Sequence, residues 1–385
     1  MATPSASHRK SQVRQNENDR SGWLREGSNV PTTIANTIAP TINLRFEPGR
    51  LVLWVNLSGV HGVYFTGPVA QAVTLARLKA SPKIRMNSPE PISHHFTVDV
   101  EEHFQVAAFE QHVARSQWDS LPSRVDRGVR LLLELLAERR AHATFFILSW
   151  VADRQPALVR EIAEAGHEIA SHGTDHQRIT ELSRDAFRES VRDSKAILED
   201  VTGHTVLGYR APSFSITRDV EWALDILIET GYRYDSSLYP VRRDGYGFAG
   251  GERDPHVLCR AAGSLHEFPP ATIQWGSAVL PAGGGAYFRH LPYTLVRSAL
   301  SDAERRGVPG TFYIHPWELD PNQPRVSVPY RTHLRHYGGL TRTVPRLRKL
   351  LATFQFQSIA HTLAVADRRR VRGTSGESLA LADER

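Results

Sequence analysis

The chain has 385 residues, 41% of them hydrophobic, which is enough for one large domain or two ordinary ones with a sizeable core. Its 47 lysines and arginines against 41 acidic residues give a formal net charge of +6 that is spread along the chain, so no nucleic-acid partner is expected. A single cysteine, Cys259, excludes an intrachain disulfide and a cysteine-built zinc site, and fits a reducing compartment.

The opening MATPSASHRKSQVRQNENDRSG is polar, poor in aromatics and without periodicity. It reads as disordered and has no apolar signal-peptide core. Residues 31–80 show no clean helix or strand pattern. The best candidate for a membrane span, LVLWVNLSGVHGVYF (51–65), is too short and is broken by Asn56, Ser58, Gly59 and His61. A cytoplasmic protein with no membrane span is expected. Met86 stands just ahead of NSPEPISHHFTVDVEE. Residues 1–90 are therefore read as a poorly ordered extension, either loosely attached or a product of an upstream start-codon assignment, with a small genuine module as the alternative.

From His94 the pattern becomes regular. HHFTVDV reads as a strand, and SRVDRGVRLLLELLAERR (123–140) as an amphipathic helix capped by Ser123. HATFFIL (142–148) is a strand, QPALVREIAEAG (155–166) a helix closed by Gly166, and HEIAS (167–171) a strand. A long helix follows over 183–203, between Ser183 and Gly203, then the strand VLGYRA and a helix over 217–231. LHEFP (265–269), PGTFYIH (309–315) and FQSIA (356–360) are later strands, and 291–307 and 341–354 later helices. Residues 236–264 and 316–338 read as long loops that shape access to a site. The tail from 366 to 385 reads as disordered. Repeated β–α units predict a parallel sheet, open or closed into a barrel.

Polar residues gather where these strands end: Asp99 and Glu101 in FTVDVEEHF, His172 and His176 in SHGTDHQ, Arg210 in GYRAPSF, and His315 in FYIHPWELD. In a parallel α/β architecture all strand C-termini face one way, so these groups converge on one mouth. The H-x3-H spacing is a weak signal alone, and two surface histidines are the plainer reading of it. Neutral imidazoles nevertheless suit zinc and similar metals. Asp99 and Glu101 share a face by the period-two rule, so one can bind a metal while the other stays free as a base. His315 alone reads equally well as a packed core histidine, and Arg210 can hold a neighbouring carboxylate ionised and oriented.

These motifs, with HEFPPATI, GGGAYFR (283–289) and RHYGGLTRT (335–343), resemble the polysaccharide deacetylases of the NodB-homology type, carbohydrate esterase family 4. The branch they resemble most is the one found with exopolysaccharide and exosortase gene clusters. The resemblance covers about 94–360 and implies a distorted (β/α)7 barrel within a 91–365 domain. It implies Asp99 as catalytic base, Arg210 as its orienting arginine and His315 as general acid. It implies Glu101, His172 and His176 as ligands of one divalent ion, zinc first, with cobalt or nickel as alternatives. The implied reaction is metal-assisted hydrolysis of N-acetyl groups on a polysaccharide or oligosaccharide, a linear-amide hydrolase activity releasing acetate and a free amino sugar. The chain departs from the family in reading D-V-E-E where adjacent aspartates are usual, so Glu102 stays a second candidate ligand. The acid and tryptophan expected near the catalytic histidine are matched only by Glu267 and Trp275. A same-fold hydrolase of a small amide, allantoinase-like, and a catalytically silent carbohydrate-binding barrel are the competing readings.

Overall fold

Short apolar runs alternating with amphipathic stretches build, in the computed structural model, a ring of parallel strands wrapped by helices. The structure describes residues 92–243 and 245–367, together with the backbone of two earlier strands. The chain divides into two units between Arg85 and Met86. In the first, β1 (Thr41–Glu47) and β2 (Arg50–Asn56) pair antiparallel with Thr41 opposite Asn56. No strand is expected there from the sequence. The alternation of Ile42, Leu44 and Phe46 was a signal, but it is short and runs into the unbroken apolar stretch at 51–55. The rest of the expected 1–90 extension lies outside the described residues, as does the tail beyond 367.

In the second unit the strands are β3 (Ser93–Val100), β4 (Thr144–Ile147), β5 (Glu168–Ser171), β6 (Gly208–Tyr209), β7 (Tyr234–Asp235), β8 (His256–Arg260), β9 (Gly263–Glu267), β10 (Thr272–Trp275), β11 (Ala278–Pro281), β12 (Thr311–Ile314) and β13 (Gln355–Gln357). The order β12-β3-β4-β5-β6-β7-β9 is parallel throughout. Past β9 the chain returns to β12: Ala271 N–H donates to the Thr311 carbonyl at 2.8 Å, and Tyr313 N–H to the Gly283 carbonyl at 2.8 Å. These bonds close a distorted (β/α)7 barrel, as expected. Only glycine fits this seam at 284, where φ is +152° and a Cβ would sit 1.8 Å from the Tyr313 carbonyl oxygen. Outside the ring, β8 pairs antiparallel with β9, β10 with β11, and β13 runs parallel to the start of β3.

The helices include α1 (Val125–Ala137), α2 (Ser149–Arg154), α3 (Pro156–Glu164), α4 (Arg184–Thr202), α5 (Trp222–Glu229), α6 (Gly285–His290), α7 (Tyr293–Arg306), α8 (Tyr330–Tyr337) and α9 (Thr343–Thr353), with a last helical stretch over 359–367. Val125, Val129, Leu132 and Leu136 form the inward stripe of α1 and are buried. Each such side chain contributes about 1.5–3 kcal/mol. Gly128 lets α1 approach closely, since a Cβ there would meet the Pro316 carbonyl oxygen at 2.1 Å. Ser183 caps α4 as predicted, accepting from Ala186 N–H at 3.2 Å. Ser123 does not cap α1: its hydroxyl donates to Glu102, whose carboxylate takes the Arg124 N–H at 3.0 Å. The helix N-terminus thus draws a carboxylate from the end of β3 instead of a neighbouring hydroxyl. The two segments expected as long loops carry β8 and α8, and the chain is still helical at 366 and 367. Among the described residues no helix is long and apolar enough to cross a membrane.

Candidate active site

β3 points Asp99 and Glu101 to one side at its C-terminal end, where both are buried. The end of β5 and the turn after it bring His172 and His176 to the same place. One ligand atom from each of Glu101, His172 and His176 lies within 4.8 Å of the others. Glu102 is not part of this group, because its carboxylate is spent on the start of α1. His172 Nδ1–H donates to the Arg210 carbonyl at 2.8 Å, which leaves Nε2 with its lone pair toward Glu101 and His176. Burial lowers the His172 pKa to about 4, so the ring is neutral. His176 has φ +58°, a left-handed backbone that a non-glycine residue adopts at a cost of about 1–3 kcal/mol. The turn that holds it is tied down by the first N–H groups of α2, Ser149 to the Gly173 carbonyl at 3.0 Å and Trp150 to that of Thr174 at 3.1 Å.

Glu101 Oε2 lies 2.7 Å from His176 Nε2 without hydrogen-bond geometry, and His176 Nδ1 has no partner. Burial alone would raise the Glu101 pKa, but His176, His315 and His172 hold it well below the usual carboxylate range. Two imidazoles and an ionised carboxylate, one oxygen of which is buried without a partner, are the donor set of a divalent cation.

Arg210 follows β6 and is fully buried. Its Nη1 donates to Asp99 Oδ1 at 2.7 Å and to Thr97 Oγ1 at 2.7 Å. Its Nε and Nη2 bond to the Ser236 carbonyl at 3.1 Å and hydroxyl at 2.7 Å. One residue therefore orients the aspartate with its side chain and a histidine with its carbonyl. Across the mouth, His315 ends β12 with Nε2 3.8 Å from Asp99 Oδ2 and 3.7 Å from Glu101 Oε1. Its Nδ1 contacts Glu318 Oε1 at 2.7 Å, and Glu318 Oε2 accepts from Arg289 Nε at 2.5 Å. Burial opposes the His315 charge, yet Glu101, Glu318 and Asp99 together raise its pKa to about 9. Trp317 stacks on His315 with ring centres 5.1 Å apart and donates its indole N–H to Glu101 Oε1 at 3.0 Å.

Asp99, Glu101, His172, His176, Arg210 and His315 are thus all brought together. Glu267 and Trp275 are not. Glu267 is buried against Asp235, and Trp275 is 62% exposed and does not line the cleft. The places beside the histidine belong to Glu318 and Trp317, in the turn that follows it. Their signal was the H-x-x-E spacing in HPWE, where an N-cap residue and the third residue of a helical turn bond each other. Arg289 had no such signal. The cleft, a cavity of about 270 Å3, is walled by residues on both sides of position 235, including Phe214, Tyr246, Tyr287 and Arg335.

Residues 109–234 match the family model described as polysaccharide deacetylase. The chain carries a polysaccharide deacetylase domain. Asp99 and Glu101 lie just upstream of the matched span. Residues 236–364 match a second model, described as a domain of unknown function (DUF3473). The peptidoglycan-N-acetylglucosamine deacetylase of Bacillus cereus is 28% identical over 95 residues, 24% of this chain and 34% of that protein. The peptidoglycan deacetylase of Helicobacter pylori is 26% identical over 111 residues, 29% of this chain and 37% of that protein. The chain thus spans about a third of the length of these curated relatives. A Mycobacterium smegmatis crystal structure designated a polysaccharide deacetylase superposes with a TM-score of 0.51 at 21% identity, covering 77% of this chain and 96% of that one. At that identity the likeness concerns the fold, and it agrees with the closed barrel of the deacetylase domain.

Proposed function

We propose that this chain is a metal-dependent hydrolase that removes N-acetyl groups from amino sugars of a glycan, and that it serves the making or modification of an exopolysaccharide. The observation that carries the reading is the convergence of Glu101, His172 and His176 beside an arginine-held aspartate and a histidine on the far side of the same cleft. The matches of the deacetylase domain to curated N-acetylglucosamine deacetylases support the substrate class. The branch-like motifs GGGAYFR and RHYGGLTRT, both within 236–364, support the exopolysaccharide role.

Glu101, His172 and His176 would hold one divalent ion, zinc, cobalt or nickel. Bound there, it supplies a Lewis acid to the amide carbonyl and to water. Arg210 occupies Asp99 Oδ1 and leaves Oδ2 to take the proton of the attacking water. His315 is held by Glu318 through Nδ1 and presents Nε2 to the amide nitrogen. Its proton goes to that nitrogen as the carbon–nitrogen bond breaks. Acetate and a free amine leave.

The test is acetate release from N-acetylated oligosaccharides before and after chelation. Activity should vanish with chelator and return with zinc, cobalt or nickel. Turnover indifferent to chelation would overturn the metal, and no acetate from any N-acetylated glycan would overturn the reading itself.

A further inference from the structure

One wall of the cleft carries Arg335, and a second cation, Arg243, stands behind the lining residue Tyr287; both come from the segment matched by the model of unknown function. Arg335 on α8 is exposed and lines the cleft. Its backbone is fixed, because its carbonyl accepts from Arg289 Nη2 at 3.2 Å and lies 3.2 Å from His290 Nε2. Its guanidinium has no carboxylate within ion-pair distance among the described residues, and the same holds for Arg243. Arg243 Nε approaches the Tyr287 hydroxyl at 3.5 Å, and that hydroxyl lies 2.8 Å from the hydroxyl of Tyr246. Tyr246 and Tyr287 line the same cleft as Arg335, so Arg243 reaches that cleft's edge through the tyrosine pair. Next to them Arg178 pairs with Glu110 at 3.3 Å but keeps its Nε buried without a partner. The carboxylates that line the cleft, Asp99 and Glu101, are engaged at its floor.

We propose that this wall is a subsite for an anionic substituent, a carboxylate or a phosphate, on a sugar neighbouring the one that loses its acetyl group, with Arg335 and Arg243 as the binding groups. The proposal rests on the deacetylase reading and narrows its substrate to acidic glycans. Guanidinium forks match both oxyanions with paired hydrogen bonds. Cations with no carboxylate partner among the described residues draw anions to a cleft, an arrangement that a neutral sugar chain would not use. The Tyr246 and Tyr287 rings beside them offer the flat faces on which a sugar ring packs.

The experiment measures binding by calorimetry to the full chain, stripped of metal so that nothing turns over. Three probes are compared: a hyaluronan hexasaccharide, a phosphorylated N-acetylchitohexaose and the neutral N-acetylchitohexaose. At least one anionic probe should bind roughly tenfold tighter than the neutral one at low salt, and which one does so distinguishes carboxylate from phosphate. That ratio should fall to about two- to threefold in Arg335→Gln and Arg243→Gln. Equal affinity for all three probes, or a preference that survives both substitutions, would overturn the subsite. Acetate release from the same probes with metal restored separates the two claims. A preserved anionic preference without any acetate would leave the subsite standing and remove the deacetylase reading.

Discussion

Residues 92–234 and 236–364 contribute to one cleft in different ways. The first stretch is a run of β–α units whose strand ends deliver Asp99, Glu101, His172, His176 and Arg210, all buried and held by one another. The second stretch is irregular, with hairpins, short helices and turns. It delivers His315 with its Glu318 and Arg289 support, and it adds Trp317, Tyr246, Tyr287 and Arg335. The proposed ligands and base thus sit at the ends of rigid consecutive strands. The proposed proton donor and the other wall of the cleft are brought in by packing from residues far along the chain. Trp317 joins the halves, since its indole fixes the oxygen of Glu101 opposite the histidines.

The sharpest break in that comparison is removal of a ligand from the first half. His172→Ala and His176→Ala should each lose the bound ion, read by metal analysis of the purified protein, and with it all measurable acetate release. Full occupancy in both variants would disprove the site. Next in size is loss of the acid or the base. Asp99→Asn and His315→Ala should each cost about 10²–10⁴ in kcat while keeping the metal. Loss of metal from either would make that residue a ligand instead, and near-normal turnover would return His315 to the status of a packed histidine.

The second half has its own weak point. Glu318→Gln leaves Arg289 as an uncompensated buried charge, which should cost about 3–5 kcal/mol in denaturant unfolding. The exposed pair of Glu138 and Arg348 is the contrast, and Glu138→Gln should leave the denaturation midpoint almost unchanged, since solvent screens that pair. Equal effects would mean that the buried pair has no special role.

A last effect concerns acid. His94 Nδ1 accepts the Gly310 N–H at 3.0 Å and His167 Nδ1 accepts the Ala143 N–H at 3.2 Å, so both rings are neutral in the folded chain. Burial lowers both pKa values from 6.5 to about 4. The unfolded chain therefore binds more protons than the folded one between those values, and stability falls as pH drops from 6.5 toward 4. Denaturation midpoints at pH 7 and pH 5 should differ in that direction. An unchanged midpoint would show that the rings charge without penalty.

The first half was legible because local rules governed it. The periodicity of α1 and α4, the Gly203 helix end and the apolar runs of β3 to β5 each announce themselves within about a dozen residues. Asp99 lies at the end of β3, Glu101, His172 and Arg210 one position beyond a strand end, and His176 in the turn that follows, where a motif can be read. The second half obeys longer-range terms. β8 and α8 lie inside stretches rich in Gly, Arg and aromatics. Arg289 is defined by carbonyls at 335, 336 and 338, which no local pattern encodes. The choice between Glu101 and Glu102 likewise depended on what α1 needs at its start. Ser123 looked like the cap because a hydroxyl before a helix usually is one.

The position of β3 has a consequence for the newborn chain. One edge of β3 pairs with β4 soon after it in sequence, but the other pairs with β12, and His95 meets Thr311 across 216 positions. A ribosome exposes the His94–Val100 strand long before its second neighbour exists, and such contacts of high sequence separation form slowly. Until then, an open apolar edge ending in two acidic side chains is available to any passing strand. Chains stopped before Gly310 should therefore aggregate or be held by chaperones, while those extended through Thr353 should not.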